Sequence, residues 1–256
     1  MRITPTVTGL WLLCGCAWTE TSDPCKESLE VKPVIKPSTI GEIELPPGFT
    51  RIPAEARSFA GWLRKITLKN DKTIYLYNGK RKSDQSAQFA VLDIPIGNKN
   101  LQQCADAVMR LRAEYLFSEK RFEEIVFRDN GPGIYRWEGG DDRRRFEPWL
   151  EKVFGWCGTA SLEKQLKSLS NPLQLIPGDV LIEGGFPGHA MIEVDMAADS
   201  TGKKIFLLAQ GYMPAQDIHI VKNLLDADRS PWYELNASGL IITPSWEFET
   251  RRLKRW

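Results

Sequence analysis

A thiol nucleophile and a base that titrates near neutrality are the two reagents that acyl-transfer chemistry asks of side chains. The chain holds five cysteines and two histidines, His189 and His219. His189 follows the loop Gly184-Gly185-Phe186-Pro187-Gly188 and opens an apolar run. Its ring is therefore expected at a sheet edge, where small neighbours leave room for a substrate. Gln210 closes the next apolar run, a position from which a neutral amide can fix an imidazole tautomer. His219 lies between Ile218 and Ile220, so strand alternation predicts that it faces solvent. The same alternation points Glu183, Glu193 and Asp195 outward, which weakens a carboxylate hydrolase reading. Tyr212, Trp232 and Tyr233 are aromatic candidates for a substrate groove. Two histidines and no Cys-x-x-Cys pair leave a zinc site almost without ligands, and no cofactor is expected.

These side chains must be positioned by elements, and the elements are legible as periodicity. The clearest helix runs from about Leu101 to Phe117, with Leu101, Cys104, Ala105, Val108, Leu111, Tyr115 and Leu116 on one face. Asn98 or Asn100 is its expected cap. Thr73–Tyr77 with Ala87–Ile94, and Phe122–Arg128 with Gly133–Trp137, read as hairpins. Helices are expected at about Phe146–Phe154, with Pro148 in the first turn, and at Thr159–Leu166. A run of strands follows: Asp179–Glu183, His189–Asp195, Lys204–Gln210, Asp217–Lys222 and Gly239–Thr243. Helices followed by strands argue an α+β domain with an antiparallel sheet.

The chain of 256 residues suits one sizeable domain, and 42% apolar residues supply a core. With 34 basic against 33 acidic residues there is no field to hold a polyanion, so nucleic acid is not expected as a partner. Val7 to Leu13 form an apolar stretch too short to span a bilayer but adequate for an export signal. Leu13-Cys14-Gly15-Cys16 resembles the lipobox of bacterial lipoproteins, which implies cleavage before Cys16 and its lipidation. Residues 1–16 are thus read as a lipoprotein signal, and 17–47, rich in Pro, Ser and Thr, as a disordered tether. Residues 48–256 are read as one α+β domain. The expected location is the cell envelope, with the membrane met only through the lipid. An exported compartment also permits a Cys104–Cys157 disulfide.

Pro177-Gly178-Asp179-Val180-Leu181-Ile182, Gly188-His189-Ala190-Met191-Ile192-Glu193-Val194 and Phe206-Leu207-Leu208-Ala209-Gln210 resemble the second half of the NlpC/P60 and CHAP papain-like hydrolases. That resemblance implies a papain-like fold with His189 as general base and Gln210 orienting it. It also implies a nucleophilic cysteine in the first turn of a helix packed on the sheet, where free N–H groups favour the thiolate. Cys104 fits that position, with Gln102 or Gln103 as oxyanion donor. Cys157, in Gly155-Trp156-Cys157-Gly158, is the alternative nucleophile. By analogy the substrate is an amide or ester in the envelope, with peptidoglycan as its natural source. The alternative is a non-catalytic envelope binding protein on the same frame. Leu101–Arg112 and Leu207–Gln216 also resemble a family of exported bacterial proteins known only as domain of unknown function 4846.

Overall fold

A computed structural model describes residues 36–235 and 239–256; the lipobox, Cys16 and the first part of the tether lie outside them. The helices are α1 (Phe59–Arg64), α2 (Cys104–Ser118), α3 (Arg143–Trp156) and α4 (Thr159–Gln165). The strands are β1 (Phe49–Arg51), β2 (Gln88–Val91), β3 (Val126–Arg128), β4 (Ile134–Arg136), β5 (Lys167–Ser168), β6 (Val180–Glu183) and β7 (His189–Asp199). They continue with β8 (Lys204–Gln210), β9 (His219–Val221), β10 (Tyr233–Glu234), β11 (Leu240–Ile242), β12 (Glu247–Glu249) and β13 (Leu253–Arg255).

The architecture is α+β, built on an antiparallel sheet with the spatial order β2-β9-β8-β7-β6-β13-β5; β1 pairs β7 and β10 pairs β8. The two β-hairpins β3-β4 and β11-β12 stand apart from it. Both faces of the sheet are covered. Ala190, Ile192, Ile205, Leu207 and Ala209 pack in the core that includes Val108 and Leu111 of α2. Met191, Phe206, Leu208 and Val221 pack in a second core with Ile241 and Phe248 of the β11-β12 hairpin. Burying each of the Val, Leu, Ile, Phe and Met side chains among these contributes roughly 1.5–3 kcal/mol.

Two coverings overturn the alternation argument, which assumes one wet face. Glu193, Asp195 and His219 are buried, not outward. Asp195 bonds Arg51 Nε at 2.7 Å and Arg64 Nε at 2.5 Å. Glu183, half-buried, bonds Arg252 and the Trp246 indole.

The compact unit that the structure describes spans Lys36–Trp256 and so begins ahead of Gly48. Ile40 and Ile43, three residues apart, are fully buried, and with Leu45 packed on the core they anchor residues 36–47 to the domain. Thr73–Tyr77 forms only isolated bridges, Tyr75 with Arg81 and Leu76 with Gln216. Helix α3 starts at Arg143, capped by Asp142, so Pro148 sits inside it and not in its first turn. Among the described residues no helix is long and apolar enough to cross a membrane.

Candidate active site

Helix α2 ends against the sheet with its N-terminus at the margin of β7. Its cap is Gln103, whose backbone N–H donates to Asp106 Oδ2 at 3.0 Å, and Cys104 is the first helical residue. Asn98 and Asn100 lie upstream of the cap. Asn100 Oδ1 instead accepts the Ala215 N–H at 2.8 Å, tying the helix entry to the loop after β8. At the close approach of helix and sheet stands Gly211, where a Cβ would lie 2.7 Å from the Gln103 carbonyl oxygen and 3.0 Å from Ala107 Cβ.

The Cys104 thiol lies beside the backbone N–H of Ala190, the residue after His189, which favours its thiolate. Burial pushes this thiol above its ordinary range, and the Ala190 N–H pulls the other way. Gly188, just before the histidine, has Gly185 and Glu183 carbonyl oxygens 2.5 and 2.7 Å from where a Cβ would stand, so the loop passes too tightly for a side chain.

His189 is buried, and its Nε2 lies 2.7 Å from Gln210 Oε1. Three rings enclose the imidazole: Tyr212 edge-on at 5.1 Å, Trp246 at 5.5 Å and Phe248 at 5.9 Å. Burial in this aromatic box pushes the imidazole down to about 4, opposed by the Gln210 bond. The Gln210 amide nitrogen in turn lies 3.1 Å from His219 Nε2 and donates to Ser245 Oγ at 2.9 Å. His219, also pushed down to about 4 by burial, places Nδ1 3.0 Å from the Asp217 carbonyl oxygen.

A cleft of about 320 Å³ opens at this point, lined by Asn100, Leu101, Gln103, Cys104, Phe186 and Met213 among others. Phe186 and Met213 are exposed at it. Asp106 also lines it, and burial raises that carboxyl well above its ordinary value, opposed by the Gln103 N–H that it accepts. Asp106 is the one carboxylic acid in the lining, which holds no lysine or arginine. A second cavity of about 300 Å³, beside Trp62 and Arg143, holds neither thiol nor imidazole, and its Arg110 and Arg143 are tied to Glu114.

The structure thus joins His189, Gln210 and Tyr212 in one buried cluster, while Cys104 and Gln103 line the adjoining cleft, which His189 does not line, and Cys104 meets the main chain one residue after the histidine. Cys157 lines the same cleft but caps the C-terminal end of α3 and is buried; burial, then the Asp129 charge, push its thiol up to about 12. Both thiols are free, so the disulfide allowed by the sequence is not formed. Gln102 turns away: it is buried outside the cleft and accepts from Arg110 Nη1 at 3.4 Å. Trp232 and Tyr233 are core residues, not groove; Trp232 Nε1 donates to the Glu44 carbonyl. The site residues that sequence reasoning missed are His219, Ser245, Trp246 and Phe248. Their signal is slight, an alternation of Trp246 and Phe248 with exposed Glu247 in a short terminal segment.

No group of His, Cys, Asp and Glu side chains among the described residues is placed to hold a metal ion. No curated protein and no solved structure matches the chain. Residues 40–141 and 134–255, nearly all of the folded unit, match the family described as domain of unknown function 4846, and the chain belongs to that family.

Proposed function

We propose that the chain is a papain-like thiol hydrolase or acyltransferase that cleaves an amide or ester bond. The observation that supports this reading is the Cys104 thiol at the start of α2, beside the N–H that follows His189, with the His189 ring held at Nε2 by Gln210. In the reaction the Cys104 S–H gives its proton to the His189 imidazole as Sγ adds to the substrate carbonyl carbon. The negative oxygen that forms is stabilised by free N–H groups of the helix N-terminus, with the Gln103 side chain as a further donor. The C–N or C–O bond then breaks, the leaving amine or alcohol takes the proton from the imidazole, and an acyl thioester remains on Cys104. Water or an acceptor nucleophile resolves it. Exposed Phe186 and Met213, and a lining without lysine or arginine, favour an apolar acyl group beside the thiol. Within the envelope, peptidoglycan peptides are the source that the papain-like resemblance implies. Export and lipidation at Cys16 belong to the same proposal and rest on the N-terminal motif alone.

Treatment with p-nitrophenyl acetate tests the chemistry without knowledge of the substrate. A burst of p-nitrophenol and an acetyl adduct on the Cys104 peptide are expected, both lost in Cys104→Ser and His189→Ala and kept in Cys157→Ser. An adduct on Cys157, or none in the wild type, would leave a binding protein on this frame.

A further inference from the structure

His219 takes no part in the acyl-transfer steps, yet it is fully buried and joined to His189 through one side chain. The chain of contacts begins at a group that cannot change its role. The Asp217 backbone carbonyl only accepts, so a neutral His219 must carry its proton on Nδ1 to use that 3.0 Å contact. Its Nε2 is then a bare lone pair, and the neighbour at 3.1 Å must donate to it. That requirement orients the Gln210 amide with its NH2 toward His219 and Ser245, leaving Oε1 toward His189. The reverse orientation would set carbonyl oxygen against lone pair in a buried site, leaving both acceptors without a donor. With Oε1 as its neighbour, His189 must hold its proton on Nε2, and Nδ1, the nitrogen nearer the main chain, is left bare.

We propose that His219 is a positioning residue that sets the tautomer of His189 through the Gln210 amide and keeps Nδ1 free as the base. Only the functional consequence rests on the hydrolase reading; the tautomer is a property of the folded chain without substrate. Ser245 cannot substitute for His219 in this, because a hydroxyl both donates and accepts and so tolerates either amide orientation.

The chain has two histidines, so long-range ¹H–¹⁵N correlation spectra of the ¹⁵N-labelled full chain contain two imidazoles. Wild type is expected to show His189 protonated on Nε2 and bare on Nδ1, with His219 the opposite. Loss of one ring's signals in His219→Phe or His219→Gln identifies the two rings. His219→Phe is expected to leave His189 as a mixture of tautomers. His219→Gln, whose carbonyl can accept the same amide hydrogen, is expected to restore the single tautomer. Cys104 acetylation by p-nitrophenyl acetate should fall at least tenfold in His219→Phe and recover in His219→Gln. A wild-type His189 protonated on Nδ1, or a His189 tautomer unchanged by His219→Phe, overturns the proposal; if His219→Phe does not fold, the assignment from His219→Gln lets the wild-type tautomer of His189 decide. Correct tautomers with no acetylation of wild-type Cys104 would uphold the positioning and remove the hydrolase reading instead.

Discussion

Burial governs the charge of both reacting groups. The aromatic box around His189 disfavours the imidazolium, and the enclosed Cys104 thiol is held above its ordinary range, so at pH 7 both are neutral and the proton moves only as the sulfur attacks. A sign follows for the pH profile. The imidazole works as a base only when unprotonated, and its value is lowered from 6.5 to about 4, so it stays competent well below the pH at which a free histidine is lost. The rate of acetylation of Cys104 is expected to be free of a limb near pH 6.5 and to fall only as pH drops through about 4. A limb at 6.5 in the pH–rate profile would mean that the ring is wet in the working protein. Cys157 shows how local context separates two thiols of one cleft: burial and then the Asp129 charge push it up to about 12, and it sits at the C-terminal end of α3, whereas Cys104 is the first residue of α2.

At the scale of elements, the site depends on α2 meeting the ends of β7 and β8 without a gap. Gly211 makes that possible, because any Cβ there meets the Gln103 carbonyl at 2.7 Å, a backbone atom that cannot step aside. Gly211→Ala is expected to cost about 1–3 kcal/mol, in line with overpacking of a tight contact, and to lift the helix start from Ala190. Denaturant unfolding would register the first effect. The yield of acetyl adduct on Cys104 would register the second, and an adduct yield equal to wild type would show that the helix start is held by other contacts. The β11-β12 hairpin has the complementary task. It brings Ser245, Trp246 and Phe248 over the imidazole and the Gln210 amide, so this terminal hairpin closes the far side of the site.

Across the whole molecule, burial of both sheet faces traps charge in the interior. Asp195 is paired with Arg51 and Arg64, and Asp179 with Arg255, but both carboxyl oxygens of Glu193 are buried without a partner. Burial, then the neighbouring Asp179 and Asp195, raise the Glu193 carboxyl well above 4.5. The folded chain therefore keeps a proton that the unfolded chain releases above 4.5, so stability falls as pH rises through that window until the folded group ionises too. Glu193→Gln carries no such proton. It should match wild type in acid and exceed it in thermal midpoint at pH 7, and identical midpoint–pH curves for the two chains would refute the account.

Periodicity alone made α2, α4 and the central strands legible, because runs of apolar residues at steps of two or of three and four reflect which local conformation can bury them. The glycine before His189 and the cysteine at a helix start were likewise visible as residue types at element ends. Tertiary structure decided the rest. The inward turn of Glu193, Asp195 and His219 required a second layer over the sheet, which strand alternation cannot announce. The choice between Gln102 and Gln103, and between core and groove for Trp232 and Tyr233, turned on which way each chain segment faces once packed. The chain from Asp217 through His219 and Gln210 to His189 joins strands through space, and hydrogen bonds of that kind have no local signature because adjacency across a sheet is not adjacency along the chain.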